Sequence, residues 1–469
     1  MNNLLYEQNY TKFVEPLYGN KRNSADDELV KNITEPHQYT IPNEKRIDMT
    51  SYDTYSVDPI GCKDADDAFS IYTKNDNLYL AIHIADPTEY IKLNSNLWID
   101  IVNRTTTKYP SNRPPIHMMP HALLELSSLQ GDHTGCTKKA ITVLTEISTE
   151  TFEPVKEIKL LFTTILVKKE NAYSYYDASK NIDKVNPFNI GLKISEALKK
   201  IRSTKTKGIK LNELSTAYPI YEEDNVYLYK DTPDEKLMKQ MIAELAIFAN
   251  SFVGEYLKIN LNTGIFRTCN ASNWLQTIYS EISGEDLLKE IITHGIRADY
   301  MSTIESHDLV GMPEYCHFTS PIRRLSDCVC HYLLKYIYFK NKDADINIPF
   351  CEQKLDELAS TCLYVTKKGK KHQYLDIKFR LLQVMHNLIL VDNKIKIGFY
   401  ITNYKGAFLN IIICRINDYN VHMSYTLRTH DYKKEINPKN IDFIEITKVN
   451  CFTKFDQNTI PELDTYILS

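Results

Sequence analysis

Glycine is scarce in this chain, 14 residues in 469, less than half of what an average usage near 7% would supply. No GxxxxGK[ST] and no GxGxxG run occurs. Without a glycine-rich turn to bring phosphates against backbone N–H groups, a nucleotide-driven motor and a dinucleotide enzyme are excluded. The ten cysteines include no CxxC pair and no zinc-ligand spacing, so they read as reduced, mostly buried thiols. No stretch of about 18 apolar residues is present, and the opening MNNLLYEQNYTKF lacks a basic region followed by an apolar run. Neither membrane spanning nor export is expected, and the chain reads as soluble and intracellular, most simply cytoplasmic and monomeric. An excess of positive charge is also missing, because 56 Lys and Arg against 60 Asp and Glu leave a net charge of −4. Proteins that neutralise phosphates usually carry the opposite sign. The sum conceals a distribution, with acids gathered at 53–67 and basic runs at 199–210 and 367–371.

What is present reads as an α+β protein. Residues 1–45 are polar, carry Pro16, Pro36 and Pro42, show no sustained period, and are expected to form an irregular extension. From about residue 46 the pattern becomes strand-like, with strands over 54–58, 68–72 and 78–85 around an Asn75-Asp76-Asn77 turn, then over 140–147 and 158–167. Thr232-Pro233-Asp234-Glu235 supplies an N-cap, a first-position proline and a capping-box glutamate for a helix with a broad apolar face. Further helices are expected at 190–202, 284–294, 320–338 and within 352–390. After Lys394 short apolar strands return, and residues 391–469 read as a small OB-like β-barrel.

Two segments carry chemistry. Asp58, Asp64, Asp66 and Asp67 lie within ten residues, between the end of one strand and the start of the next. Carboxylates packed that closely raise one another's pKa, and a hard divalent ion such as magnesium or manganese relieves the conflict. A pair of such ions suits phosphodiester hydrolysis. An acidic surface loop is the plain alternative; an EF-hand calcium loop fails on spacing. The second segment, His317-Phe318-Thr319-Ser320-Pro321-Ile322-Arg323-Arg324, reads as a helix start with Ser320 as N-cap. Two arginines in a first turn oppose the helix dipole unless a phosphate sits between them. Against this, Arg323 and Asp327 have the spacing of an ordinary helix salt bridge.

Taken together, the two segments resemble the paired signatures of the RNB-domain exoribonucleases, the superfamily of ribonucleases II and R. The aspartates fall at offsets 0, 6, 8 and 9, and HFTSPIRRLSDCVCHYLL follows at a fitting distance. Ala81-Ile82-His83-Ile84-Ala85-Asp86 and Met241 to Asn250 add a strand and a helix of the same pattern, and the likeness spans about 46–390. Each aspartate position has a background chance of about 6%. The resemblance implies an RNB catalytic domain over 46–390, a mixed sheet packed with helices, followed by an S1-like barrel over 391–469. The 45 preceding residues are too few for the cold-shock barrels that usually guide RNA.

For activity it implies magnesium-dependent 3′ to 5′ hydrolysis of single-stranded RNA to 5′-mononucleotides. The alternative is a catalytically weak scaffold of the same fold. Asp58, Asp64 and Asp67 are implied metal ligands, with Asp66 both a ligand and essential to hydrolysis. Arg323 is the implied contact to the reacting phosphate, and Arg324 a further RNA contact. Tyr109 is the implied stacking platform for the last nucleotide, and Phe266 stands in for a second. His83 reads as support for the sheet.

Overall fold

The computed structural model describes residues 2–19, 22, 26–131, 135–205, 216–271, 296–405, 408–428, 441–449 and 463–465. Helices α1 (Asn2–Phe13) and α2 (Asp26–Leu29) precede strands β1 (Ile47–Asp48), β2 (Ser56–Asp58), β3 (Asp67–Lys74) and β4 (Asn77–Ala85). Helices α3 (Asn96–Arg104) and α4 (His121–Ser127) lead to β5 (Lys138–Ile147), β6 (Lys159–Ile165) and β7 (Ala172–Ser174). Then come α5 (Tyr175–Ser179), α6 (Asn186–Lys205), the hairpin β8 (Tyr218–Glu222) and β9 (Asn225–Tyr229), α7 (Pro233–Leu261), β10 (Phe266–Thr268) and β11 (Asp299–Met301). Helices α8 (Leu325–Lys340) and α9 (Glu352–Asp392) are followed by β12 (Ile395–Lys405), β13 (Phe408–Ile416), β14 (Tyr419–Arg428), β15 (Asp442–Val449) and β16 (Leu463–Thr465).

The main sheet has the order β1-β6-β5-β4-β3, antiparallel except where β1 runs parallel to β6. Its register is set by the β3–β4 hairpin, where Asn75 and Asp76 adopt left-handed φ of 50° and 63°, as a tight turn between right-twisted strands requires. His83 sits in the middle of this sheet, fully buried between Ser70 Oγ (3.1 Å) and Thr142 Oγ1 (2.8 Å). Burial alone holds its imidazole neutral, with the pKa pushed down to about 3. The capping box at Thr232 and Glu235 is present, and α7 crosses the sheet near Gly191 and the 314–316 segment. A Cβ at Gly254 would stand 3.1 Å from Glu314 O and 3.2 Å from Cys316 N, so any larger residue at this crossing would press the 314–316 backbone outward by a few tenths of an ångström.

Two apolar cores result. The larger joins the sheet to α7, α8 and the first part of α9; the smaller joins β12–β15 to Phe379, Leu382 and Met385 of α9. The 41-residue α9 therefore runs from one core into the other. Tyr6, Tyr10, Val14 and Tyr18 complete the smaller core. Residues 2–18 are thus helical and buried on one side, where an irregular extension was expected. Their apolar contacts come from tyrosines and one valine spaced at helical intervals in an otherwise polar stretch, a pattern that hydrophobicity averages conceal. The expected helix over 284–294 lies outside the described residues. Among the described residues no helix is long and apolar enough to cross a membrane.

Candidate active site

The four aspartates arrive on two strand ends and the loop between them. Asp58 closes β2, paired in parallel with Ser174 of β7, and Asp67 opens β3 opposite Ile84. The loop is held from both sides. Ala85 N–H donates to Asp66 O (2.8 Å), Leu129 N–H donates to Ala65 O (2.9 Å), and Ala65 N–H donates to Ser128 Oγ (3.1 Å). Gly61, with φ 74°, makes the turn that returns the chain.

Asp66 is 2% exposed and accepts two bonds from the 317–324 segment, Ile322 N–H at 2.7 Å and Arg323 Nε at 2.8 Å. Arg323 is also fixed by Ser320 Oγ at 2.8 Å, and its side chain stays 42% exposed. Asp64 faces a different set, Tyr109 Oη (3.3 Å), His117 Nδ1 (3.4 Å) and Cys62 Sγ (3.6 Å). Cys62 Sγ also lies 3.8 Å from Asp58. Burial, then Asp67 and Asp66, push the Asp58 carboxyl up to about 8. Burial lifts Asp66 to about 7 and Asp67 to about 6, against the pull of Arg323 in both. Burial also raises Asp64, but the bonds and charge of His117, with bonds from Cys62 and Tyr109, bring its carboxyl below the ordinary range. All the donors are hard oxygens carrying more negative charge than their surroundings balance, which is the chemistry a divalent cation satisfies. Among the described residues no three His, Cys, Asp or Glu side chains already converge in metal-holding geometry.

The 320–324 turn differs from the expected helix start. Helix α8 begins at Leu325, with Arg324 as its N-cap and no side-chain cap bond. The turn is drawn out against residues 105–107, through Thr107 N–H to Arg323 O (3.1 Å) and Leu325 N–H to Thr105 O (2.9 Å). Asn250 of α7 supports it by accepting Phe318 N–H at 2.7 Å and Thr319 N–H at 3.2 Å. Both arginines therefore precede the helical turns and escape the dipole conflict, while Asp327 stands in the first turn where a negative charge is favoured. The salt bridge within the segment is Arg324 to Asp327 (2.9 Å), not Arg323 to Asp327.

Tyr109 is 42% exposed beside the aspartates. With Arg323 and Arg324 it borders a cleft of about 290 Å³ whose wall also carries Arg267, His317 and Lys370. Phe266 is not in that wall. It is fully buried in β10, so it presents no face to a ligand; the strand pairings with Met301 and Cys316 turn it into the core. Tyr175 was missed. At the start of α5, its phenol is raised first by burial, then by Asp67 and Asp58, which sets it against the cluster. Only the tyrosine-rich AYSYY run marked it, and its placement depends on the β2–β7 pairing, which no local pattern announces.

Residues 46–340 match the family profile of the RNB domain. The chain belongs to the RNB family. Among its relatives, the Exoribonuclease 2 of Buchnera aphidicola subsp. Schizaphis graminum is 28% identical over 382 residues, covering 70% of this chain and 54% of the relative. The Arabidopsis thaliana protein named Exosome complex exonuclease RRP44 homolog A is 27% identical over 343 residues, covering 63% of this chain and 36% of its own. The chain thus spans about half the length of the Buchnera protein and about a third of the Arabidopsis one. In structure, the apo form of Mycoplasma genitalium RNase R superposes with a TM-score of 0.73 at 18% identity, covering 95% of this chain and 76% of that one. Yeast Ssd1, described as a pseudonuclease, superposes with a TM-score of 0.63 at 14% identity, covering 86% of this chain and 52% of its own. These likenesses establish the α+β RNB fold with its mixed sheet and the small OB-like β unit that follows.

Proposed function

We propose that this RNB protein is a 3′ to 5′ exoribonuclease that hydrolyses single-stranded RNA to 5′-mononucleotides with magnesium. The observation that carries the reading is the buried Asp66 bonded to Arg323, which itself lines a cation-rich cleft, with Asp58, Asp64 and Asp67 on the same short stretch of chain. Asp58, Asp64 and Asp67 would hold the cation together with Asp66, and when bound it supplies Lewis acidity and an acidified water for attack on phosphorus. Beyond its Nε bond to Asp66 and its Nη2 bond to Ser320 Oγ, Arg323 keeps the Nη1 N–H pair, and its fork geometry suits a non-bridging phosphate oxygen. Arg324 and Arg267 continue the positive wall outward for preceding phosphates. The exposed ring of Tyr109 offers a face on which any terminal base stacks, consistent with hydrolysis without sequence preference.

The likeness to a pseudonuclease in yeast keeps a second reading in play, an RNB-fold RNA-binding scaffold. Four clustered carboxylates, Asp64 and Asp66 buried and Asp58 and Asp67 half-buried, weigh against it, because a scaffold gains nothing from holding them. The deciding experiment follows a 5′-labelled single-stranded RNA with wild type, Asp66→Asn, and wild type in EDTA. Progressive shortening by the wild type alone, with release of nucleoside 5′-monophosphates, supports the hydrolase. Intact RNA in all three arms, with a retained gel shift, supports the scaffold.

A further inference from the structure

The link between α3 and α4, residues 105–118, carries both side chains that reach Asp64 from outside the aspartate loop, Tyr109 and His117. Its other side is fastened to α9 and to residues 2–19 and 22. Ser111 donates through both N–H (2.9 Å) and Oγ (2.6 Å) to the Asp376 carboxylate of α9. Tyr10 Oη (2.7 Å) and Tyr18 Oη (2.8 Å) donate to that same carboxylate. Asp376 is 2% exposed and the two tyrosines 0% and 3%. Four donors on one buried carboxylate form a charge-assisted knot, of the class that fixes geometry most firmly. Further ties run along the link. Lys108 Nζ donates to Tyr18 O (2.9 Å), Arg113 pairs with Glu15 (2.7 Å), and Arg22 Nε donates to His117 O (3.0 Å).

We propose that residues 2–19 and Arg22, joined to α9 at Asp376, are a brace for the active site, which sets the position of Tyr109 and His117 through the Asp376 knot. Asp376, Tyr10, Tyr18 and Ser111 are then positioning residues, acting on substrate only through the 105–118 link. On its outer side the link has a second tie from α9, Arg380 Nε donating to Ser111 Oγ at 2.8 Å. Its inner side is held by the Arg323 carbonyl, which Thr106 Oγ1 and Thr107 N–H both engage, so slack on the outer side passes to the tip bearing Tyr109. The inference rests on the exoribonuclease reading for its kinetic consequence, and on geometry alone for its structural one.

The test uses the full chain with Ser111→Ala, which removes one donor from the edge of the knot, and Asp376→Asn, which removes the shared carboxylate. Hydrogen exchange of peptides spanning 105–118 is expected to quicken about tenfold in Asp376→Asn and less in Ser111→Ala, with exchange in β3–β5 unchanged. Kinetically, KM for single-stranded RNA is expected to rise about tenfold while kcat stays within about threefold, since a base that stacks less well is a loss of binding. In a Tyr109→Ala background, Ser111→Ala is expected to add nothing further to KM, which a general loss of stability would not reproduce. Unchanged exchange in 105–118 for both variants overturns the brace, as does faster exchange with an unchanged KM. If the wild type shortens no RNA, the hydrolase reading falls, while the exchange data still decide whether the Asp376 knot holds the link.

Discussion

Two groups of buried charges lie in the RNB core, and they are built on opposite rules. Arg46, Asp86, Glu89 and Lys335 all have side chains with no exposure, and their cross-bonds run from 2.6 to 2.9 Å. Arg46 spends a remaining N–H group on the carbonyls of Ala140 and Thr163. Two buried cations meet two buried anions, and Lys139 joins Glu89 from the rim at 3.5 Å. Burial pushes the Asp86 carboxyl up, yet Lys335, His331 and Arg46 overcome it and hold the group well below the usual carboxylate range. At the active site the same burial acts on four aspartates that share mainly Arg323, and three of them rise. Burial is common to both groups; the ratio of cations to carboxylates decides the sign. A network that serves the fold closes on itself, whereas one that serves a ligand leaves charge over.

The sharpest way to break this contrast is to unbalance the closed network. Glu89→Gln leaves the buried Arg46 and Lys335 with Asp86 as their one carboxylate and removes the partner of the rim Lys139, and stranding a buried charge costs about 3–5 kcal/mol. Urea denaturation should show that loss, and Glu89→Gln with Lys335→Met should recover most of it by leaving one fully buried cation, Arg46, to one fully buried anion, Asp86. A neutral single variant would mean that the network tolerates surplus charge as the active site does.

The second prediction removes a charge from the open cluster. Asp66→Asn keeps an oxygen to accept the Ile322 N–H and should leave the denaturation midpoint unchanged or higher, since a carboxyl pushed up to about 7 is a burden near neutral pH. RNA shortening should fall by about a hundredfold to a thousandfold, the usual effect of deleting one preorganised electrostatic contact. If Asp66→Asn unfolds the protein as readily as Glu89→Gln, the distinction between the two groups is lost.

Much of this was legible in the residues before any coordinates. The strands around the Asn75-Asp76 turn, the Thr232 capping box and the strand-rich C-terminal unit are local patterns, and the fold repeats them. The aspartate spacing placed four carboxylates on one loop because few residues intervene. What could not be read is long-range pairing. Ser320 and Pro321 look like a helix start in isolation, but pairing with residues 105–107 delays the helix to Leu325. Phe266 sits in a segment of the right composition, yet a three-residue strand turns it inward. Tyr10 and Tyr18 owe their burial to Asp376, more than 350 residues away in sequence.

A third prediction sharpens the contrast through pH. In the metal-free protein the carboxyls of Asp58, Asp66 and Asp67 titrate above the unfolded value of about 3.9. Between about pH 4 and 8 the folded state holds more protons than the unfolded one, so stability falls as pH rises across that window. Asp86 has the opposite sign: its contribution is present above the unfolded value and is lost as pH falls through the lower, folded one. Thermal midpoints in EDTA should therefore decline on both sides, on the acid side from Asp86 and toward pH 8 from the cluster. Magnesium should flatten the second decline only. A flat profile in EDTA would remove the physical case for a cation.

The smallest effect lies inside the cluster, where Asp64 behaves like Asp86 on a reduced scale. Its partners His117, Cys62 and Tyr109 hold it below the ordinary range although it is nearly as buried as Asp66. Replacing two of them, in Tyr109→Phe with His117→Asn, removes that support and should send Asp64 upward to join the other three. One more proton is then released across the neutral window, steepening the EDTA decline by up to about 1.4 kcal/mol per pH unit. Each single variant should give a part of this, since a hydrogen bond to a charged group contributes about 1.5–3 kcal/mol when buried and less where the partner is exposed, as Tyr109 is. An unchanged slope in the double variant would mean that Asp64 is held down by something other than the 105–118 link, and that three of the four aspartates, not all, form the open cluster.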